Sequence, residues 1–138
     1  MNNWVKSLTN SQYKNISKTI LENCPHYLGY PPNYNNQLPK LYIRNNPKIK
    51  DKGEYAYGME SPSIYLYKNN TTSPQDLIST IIHEYTHYIQ LYNKRSARRY
   101  EKAEEDIGYD KNPYEIEANL MDLRYSAKMY ARVCHLFK

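Results

Sequence analysis

Apolar positions along this chain repeat at two periods, and the changes between them outline the fold. Over 3–23 the spacing of Trp4, Val5, Leu8, Ile16, Ile20 and Leu21 predicts an amphipathic helix, with Cys24-Pro25 as its end. From Pro25 to Pro39 the chain is rich in Pro, Asn and Tyr and reads as an irregular connection. Three short runs of strand-forming residues follow, Leu41 to Arg44, Glu54 to Met59 and Ser63 to Tyr67, parted by turn residues such as Asn45, Pro47, Gly53 and Pro62. In the third run Ile64 and Leu66 alternate with Tyr65 and Tyr67, so each pair has its own face.

Helical spacing then returns over Thr72 to Asn93. Leu77, Ile78, Ile81, Ile82, Tyr85, Tyr88, Ile89 and Tyr92 form one stripe, and Ser73 as N-cap, Pro74 and Asp76 mark the start. Lys94 to Lys111 is crowded with charge and reads as a solvated connector, helical in part and broken at Gly108. Asn112 and Pro113 open a long C-terminal helix, in which Ile116, Leu120, Leu123, Ala127, Tyr130 and Cys134 repeat at steps of four and three as the expected core face. The expected class is α+β, one domain over 1–138: a small sheet against a central helix, flanked by an N-terminal helix and a long C-terminal one.

Composition adds three points. The 40% hydrophobic share includes 17 tyrosines but one Phe and one Trp, so tyrosine supplies much of the packing and its hydroxyls must reach water or polar partners. The formal charge of +5 is scattered; only Arg95, Arg98 and Arg99 cluster, which keeps a DNA-associated function open on weak grounds. Two cysteines make no disulfide framework, the N-terminal stretch lacks an apolar h-region, and no run nears the ~20 apolar residues of a membrane span. A soluble, cytoplasmic chain without a membrane partner is the expectation.

The chemistry concentrates in His83-Glu84-Tyr85-Thr86-His87. One helical turn separates the two histidines, so both imidazoles can reach one metal ion, while Glu84 lies on the flank of that face. A catalytic zinc commonly takes three protein ligands plus water, which leaves one ligand to find. Glu115 is favoured because it shares a helix face with Asn119 and Asp122, although its position three residues after Asn112 also suits a capping box. Glu117 is the runner-up; Asp122, His135 and His26 are more distant candidates. Asn119 is the expected holder of a histidine ring nitrogen. Such a set implies one Zn2+ that acidifies a water and polarises a carbonyl, with Glu84 as general base and a polypeptide as substrate. A metal-binding protein without hydrolysis is the alternative.

HEYTH followed by NPYEIEAN resembles the gluzincin branch of the zincin metallopeptidases, and within it the minigluzincins and the ImmA/IrrE-type metallopeptidases. The resemblance covers roughly Leu41 to Tyr130. It implies a zincin-like fold with a small, mostly antiparallel sheet on the active-site helix, zinc on His83, His87 and Glu115, Glu84 as general base, and Glu54 to Met59 as the strand that pairs with substrate. It also offers the tail Arg132 to Lys138 as a segment that blocks the cleft, whereas the residues themselves favour a tail that completes the last helix.

Overall fold

In the computed structural model, which describes residues 3–57 and 61–138, the first predicted helix is two: α1 (Asn3–Lys6) and α2 (Asn10–Leu28). A reciprocal cap restarts it. The Gln12 N–H donates to Thr9 Oγ1 (3.1 Å) and the Thr9 N–H to Gln12 Oε1 (2.8 Å). Pro25 does not end α2 but lies inside its last turn, where few intrahelical bonds remain to be lost. The end comes at Gly29, whose φ of 75° suits glycine and whose N–H reaches Pro25 O (2.9 Å).

The sheet comprises β1 (Lys40–Arg44), β2 (Gly53–Ala56) and β3 (Ser63–Tyr67) in the order β1-β3-β2. The expected mostly antiparallel sheet is mixed instead: β2 and β3 run antiparallel, β1 and β3 parallel. The chain leaves β1, crosses to the far edge as β2, and returns between them as β3. Gly58 and Met59, at the end of the second expected strand, lie outside the described residues. Ile64 and Leu66 are fully buried, while Tyr65 stacks on Tyr42 at 5.2 Å.

The central helix, α3 (Pro74–Gln90), starts as its sequence dictates, with Ser73 Oγ accepting the Asp76 N–H at 3.0 Å. Leu77, Ile78, Ile81, Ile82 and Tyr85 are fully buried against α2 and the sheet, and each such aliphatic side chain contributes roughly 1.5–3 kcal/mol. Tyrosines do reach polar partners from the core: Tyr85 donates to Gly29 O (2.6 Å) and Tyr88 to Gln37 O (2.9 Å).

The charged stretch after α3 is ordered as helix α4 (Lys94–Ile107), opened by an Asn93–Ser96 capping box and closed at Gly108 (φ 79°). Helix α5 (Pro113–Val133) starts at the expected Asn112-Pro113 cap and packs along α3. Its buried face is not the expected one. Ile116 and Leu120 are about half exposed and Leu123 is 80% exposed, whereas Glu115, Ala118, Met129 and Val133 are buried. Beside buried Ala118, Met129 and Val133, α5 meets α3 through polar pairs such as Ser79 Oγ to Asp122 Oδ2 at 2.5 Å, while Ile116, Leu120 and Leu123 of the expected stripe face outward. The tail turns back instead of entering the cleft, with Phe137 edge-on to Trp4 at 5.4 Å and stacked on Tyr130 at 5.9 Å. Cys24 and Cys134 are unpaired. Among the described residues no helix is long and apolar enough to cross a membrane.

Candidate metal centre

The packing of α3 against α5 brings His83, His87 and Glu115 to one point. Glu115 Oε1 lies 2.9 Å from His83 Nε2 and 3.0 Å from His87 Nε2, and the two imidazole nitrogens are 3.2 Å apart. Among the described residues this is the group able to hold a metal ion, with all its ligand atoms within 4.8 Å of one another. His87 and Glu115 are buried.

Hydrogen bonding around Gln90 settles what His87 presents. The Gln90 amide nitrogen donates to Tyr114 O (3.0 Å) and to Glu117 Oε1 (2.7 Å), which uses both of its hydrogens. Its oxygen therefore faces His87 Nδ1 at 2.8 Å and accepts the Nδ1 proton, which orients the ring so that Nε2 is the nitrogen turned toward Glu115. Two imidazoles and a carboxylate, one ring held by Gln90 with its Nε2 turned inward, fit a divalent ion of zinc type.

The electrostatics point the same way. Burial alone would raise the Glu115 carboxyl, but the His83 and His87 contacts and the Tyr100 hydroxyl outweigh it and hold Glu115 well below the usual carboxylate range. Positive charge on the imidazole side stabilises the anion. Glu84, beside the three, is pushed up to about 7, mainly by burial, with His83 opposing and Glu115 adding to the rise.

The cleft over these groups, about 280 Å³, is walled by β2, α3 and α4 and lined by Gly53, Tyr55, Glu84, Tyr100 and Tyr109 among others. Gly53 is required by close approach: a Cβ there would lie 2.7 Å from Thr80 Cγ2 and 3.3 Å from Glu84 Cγ. Helix α4 supplies a residue that the sequence reading missed. The Tyr100 hydroxyl donates to Glu115 Oε2, and its ring stands edge-on to His87 at 5.7 Å. Burial first, then the bond to Glu115, raises Tyr100, so the hydroxyl stays a donor. The available signal was the Asn93-x-x-Ser96 cap followed by Ser96, Ala97 and Tyr100 at helical spacing.

Other expected site residues fall elsewhere. Asn119 is exposed, and the support of a histidine ring expected of it is given by Gln90. Glu117 does not approach the imidazoles but anchors Gln90. Asp122 joins Ser79 and Ser126. His26 stands edge-on to Tyr27 at 4.7 Å on α2, and His135 is exposed in the tail; neither lines the cleft.

No protein-family model, no curated protein and no solved structure matches this chain.

Proposed function

We propose that the chain is a zinc-dependent metallopeptidase of zincin type that cleaves polypeptides. The observation that carries this reading is the convergence of His83 Nε2, His87 Nε2 and Glu115 Oε1 beneath an open cleft, with the Glu84 carboxyl on its wall. A bound zinc ion would supply a water of lowered pKa and a Lewis acid for the scissile carbonyl. Glu84, poised near neutrality, takes a proton from the attacking water and delivers it to the departing amide nitrogen. The outer edge of β2 carries no strand among the described residues; apart from the Tyr55 backbone group that meets the Glu84 carboxyl, its N–H and C=O groups can pair with an extended peptide. The Tyr100 and Tyr109 hydroxyls both bond to Glu115 and hold its carboxylate toward the imidazoles.

Metal analysis and hydrolysis of unfolded casein, with and without chelator, test the proposal. The wild type is expected to hold one zinc per chain and cleave; Glu84→Gln is expected to keep the zinc and lose about a thousandfold in rate, as removal of a general base does. Zinc bound stoichiometrically by a wild type that cleaves nothing would favour a metal-binding protein instead. Equal rates in both proteins would remove Glu84 from the chemistry.

A further inference from the structure

The cleft does not end at the metal centre. Past Tyr55, Tyr57 and Leu91 it continues into a groove of about 650 Å³ between β2, the C-terminal end of α3 and the first turns of α4. Its floor is aromatic and apolar, formed by Tyr55, Tyr88, Tyr92, Leu91 and Ala97, with Pro31 and Pro62 at the sides. Tyr55 and Tyr88 meet edge to face at 6.1 Å, so the floor is preformed. A groove of this size takes a large side chain and part of the backbone that bears it.

Its charge is one-sided. Lys94, Arg98 and Glu101 line the α4 wall, and the Glu101 carboxylate accepts the Tyr57 hydroxyl at 3.0 Å. Lys94 and Arg98, one turn apart and both exposed, have no carboxylate partner among the described residues, where the lysine and arginine ion pairs are Lys52–Asp76 and Lys102–Asp106. The metal end of the same cleft is acidic, with Asp51, Glu54, Glu84 and Glu115. A peptide lying along β2 therefore meets a change of sign as it passes from the metal centre into the groove.

We propose that this groove is a specificity subsite for a peptide segment that places a bulky aromatic or aliphatic side chain on the tyrosine floor and a nearby carboxylate between Lys94 and Arg98. The carboxylate belongs to an acidic side chain or to the peptide's C-terminus. Both sources offer the same acceptor oxygens to an ammonium and a guanidinium. The proposal rests on the peptidase reading for the direction of the cleft, but recognition is measurable without cleavage.

The test uses full-length Glu84→Gln protein and fluorescence polarisation. The probes are fluorescein-labelled octapeptides with one Phe and with Glu, Gln or Lys at each of the three positions on either side of it, C-terminally amidated; the Phe and Gln set is repeated with a free C-terminal carboxylate. Glu peptides are expected to bind about fivefold tighter than their Gln counterparts at one or two positions, the gain of one exposed ion pair, and Lys peptides more weakly than both. A free C-terminus that replaces this gain identifies the terminal carboxylate as the source; a gain confined to Glu identifies the side chain. The double variant Lys94→Glu/Arg98→Glu, altered at exposed positions only, is expected to prefer Lys. Equal affinity for Glu, Gln and Lys, an unchanged preference in the double variant, or no binding of any peptide would overturn the proposal. Selective binding by a wild type that cleaves none of the peptides would leave the subsite standing and count against the peptidase reading alone.

Discussion

Glu84 makes the folding stability of the metal-free protein depend on pH in a direction that can be worked out beforehand. Its carboxyl is raised from an ordinary 4.5 to about 7, chiefly by burial. A carboxyl raised on folding binds its proton more tightly in the folded chain than in the unfolded one. Its contribution is therefore fully present below about pH 4.5 and is lost as pH rises through about 7, where the fold must bury an anion. Integrated from pH 5 to pH 8, the difference in bound protons removes about 2–3 kcal/mol. For a chain of this length that is roughly 10 °C in Tm. Glu84→Gln keeps the shape and abolishes the titration. Thermal unfolding of both proteins in chelator from pH 5 to 8 is the assay, and the quantity read is the change in their Tm difference, so any constant offset from the glutamine cancels. The variant is expected to gain on the wild type as pH rises, mostly between pH 5 and 7. Parallel curves, or a gain toward low pH, would refute a buried Glu84 beside the cleft.

Gln90→Leu removes the acceptor that fixes the His87 ring and is expected to weaken zinc binding about 10–100-fold in chelator competition; unchanged affinity would mean that the ring is held by other contacts. Gly53→Ala drives a methyl into Thr80, whose hydroxyl is tied to Asp76 O at 2.8 Å, so it is expected to cost about 2 kcal/mol in denaturant unfolding, part of it recovered by adding Thr80→Ser. On α5, Leu123→Ser is expected to change stability by less than about 0.5 kcal/mol and Met129→Ala to cost about 2–5 kcal/mol; the reverse order would mean that the helix is turned with its apolar stripe inward.

What was legible in the sequence was local. Ser73, Pro74 and Asp76 begin α3 because cap and dipole chemistry acts within one turn, and Asn112-Pro113 does the same for α5. The Thr9-x-x-Gln12 box was equally readable and divides the first helix. What depends on distant neighbours was not. The strand order puts β3 between partners that only the tertiary path brings together. On α5 the apolar period pointed to Ile116, Leu120 and Leu123, yet the buried side carries Glu115 and Asp122, paired with His83, His87 and Ser79, together with Ala118, Met129 and Val133. Tyr100 was hidden by the opposite weakness: the inner side of α4 is small or polar and gives no hydrophobic signal.

The two walls of the cleft are secured in different ways. On the β2 side Gly53 packs directly on Thr80 and Glu84 of α3, leaving no room for a side chain between strand and helix. On the other side α4 is attached largely through side-chain hydrogen bonds, Tyr100 to Glu115, Glu101 to Tyr57 and Glu104 to Asn112. One jaw is fixed to the anvil and the other is tied on by a few removable threads. Substitutions on the exposed face of α4 therefore alter the width or charge of the opening without touching the β2–α3 contact, whereas a change at Tyr100 reaches Glu115 itself.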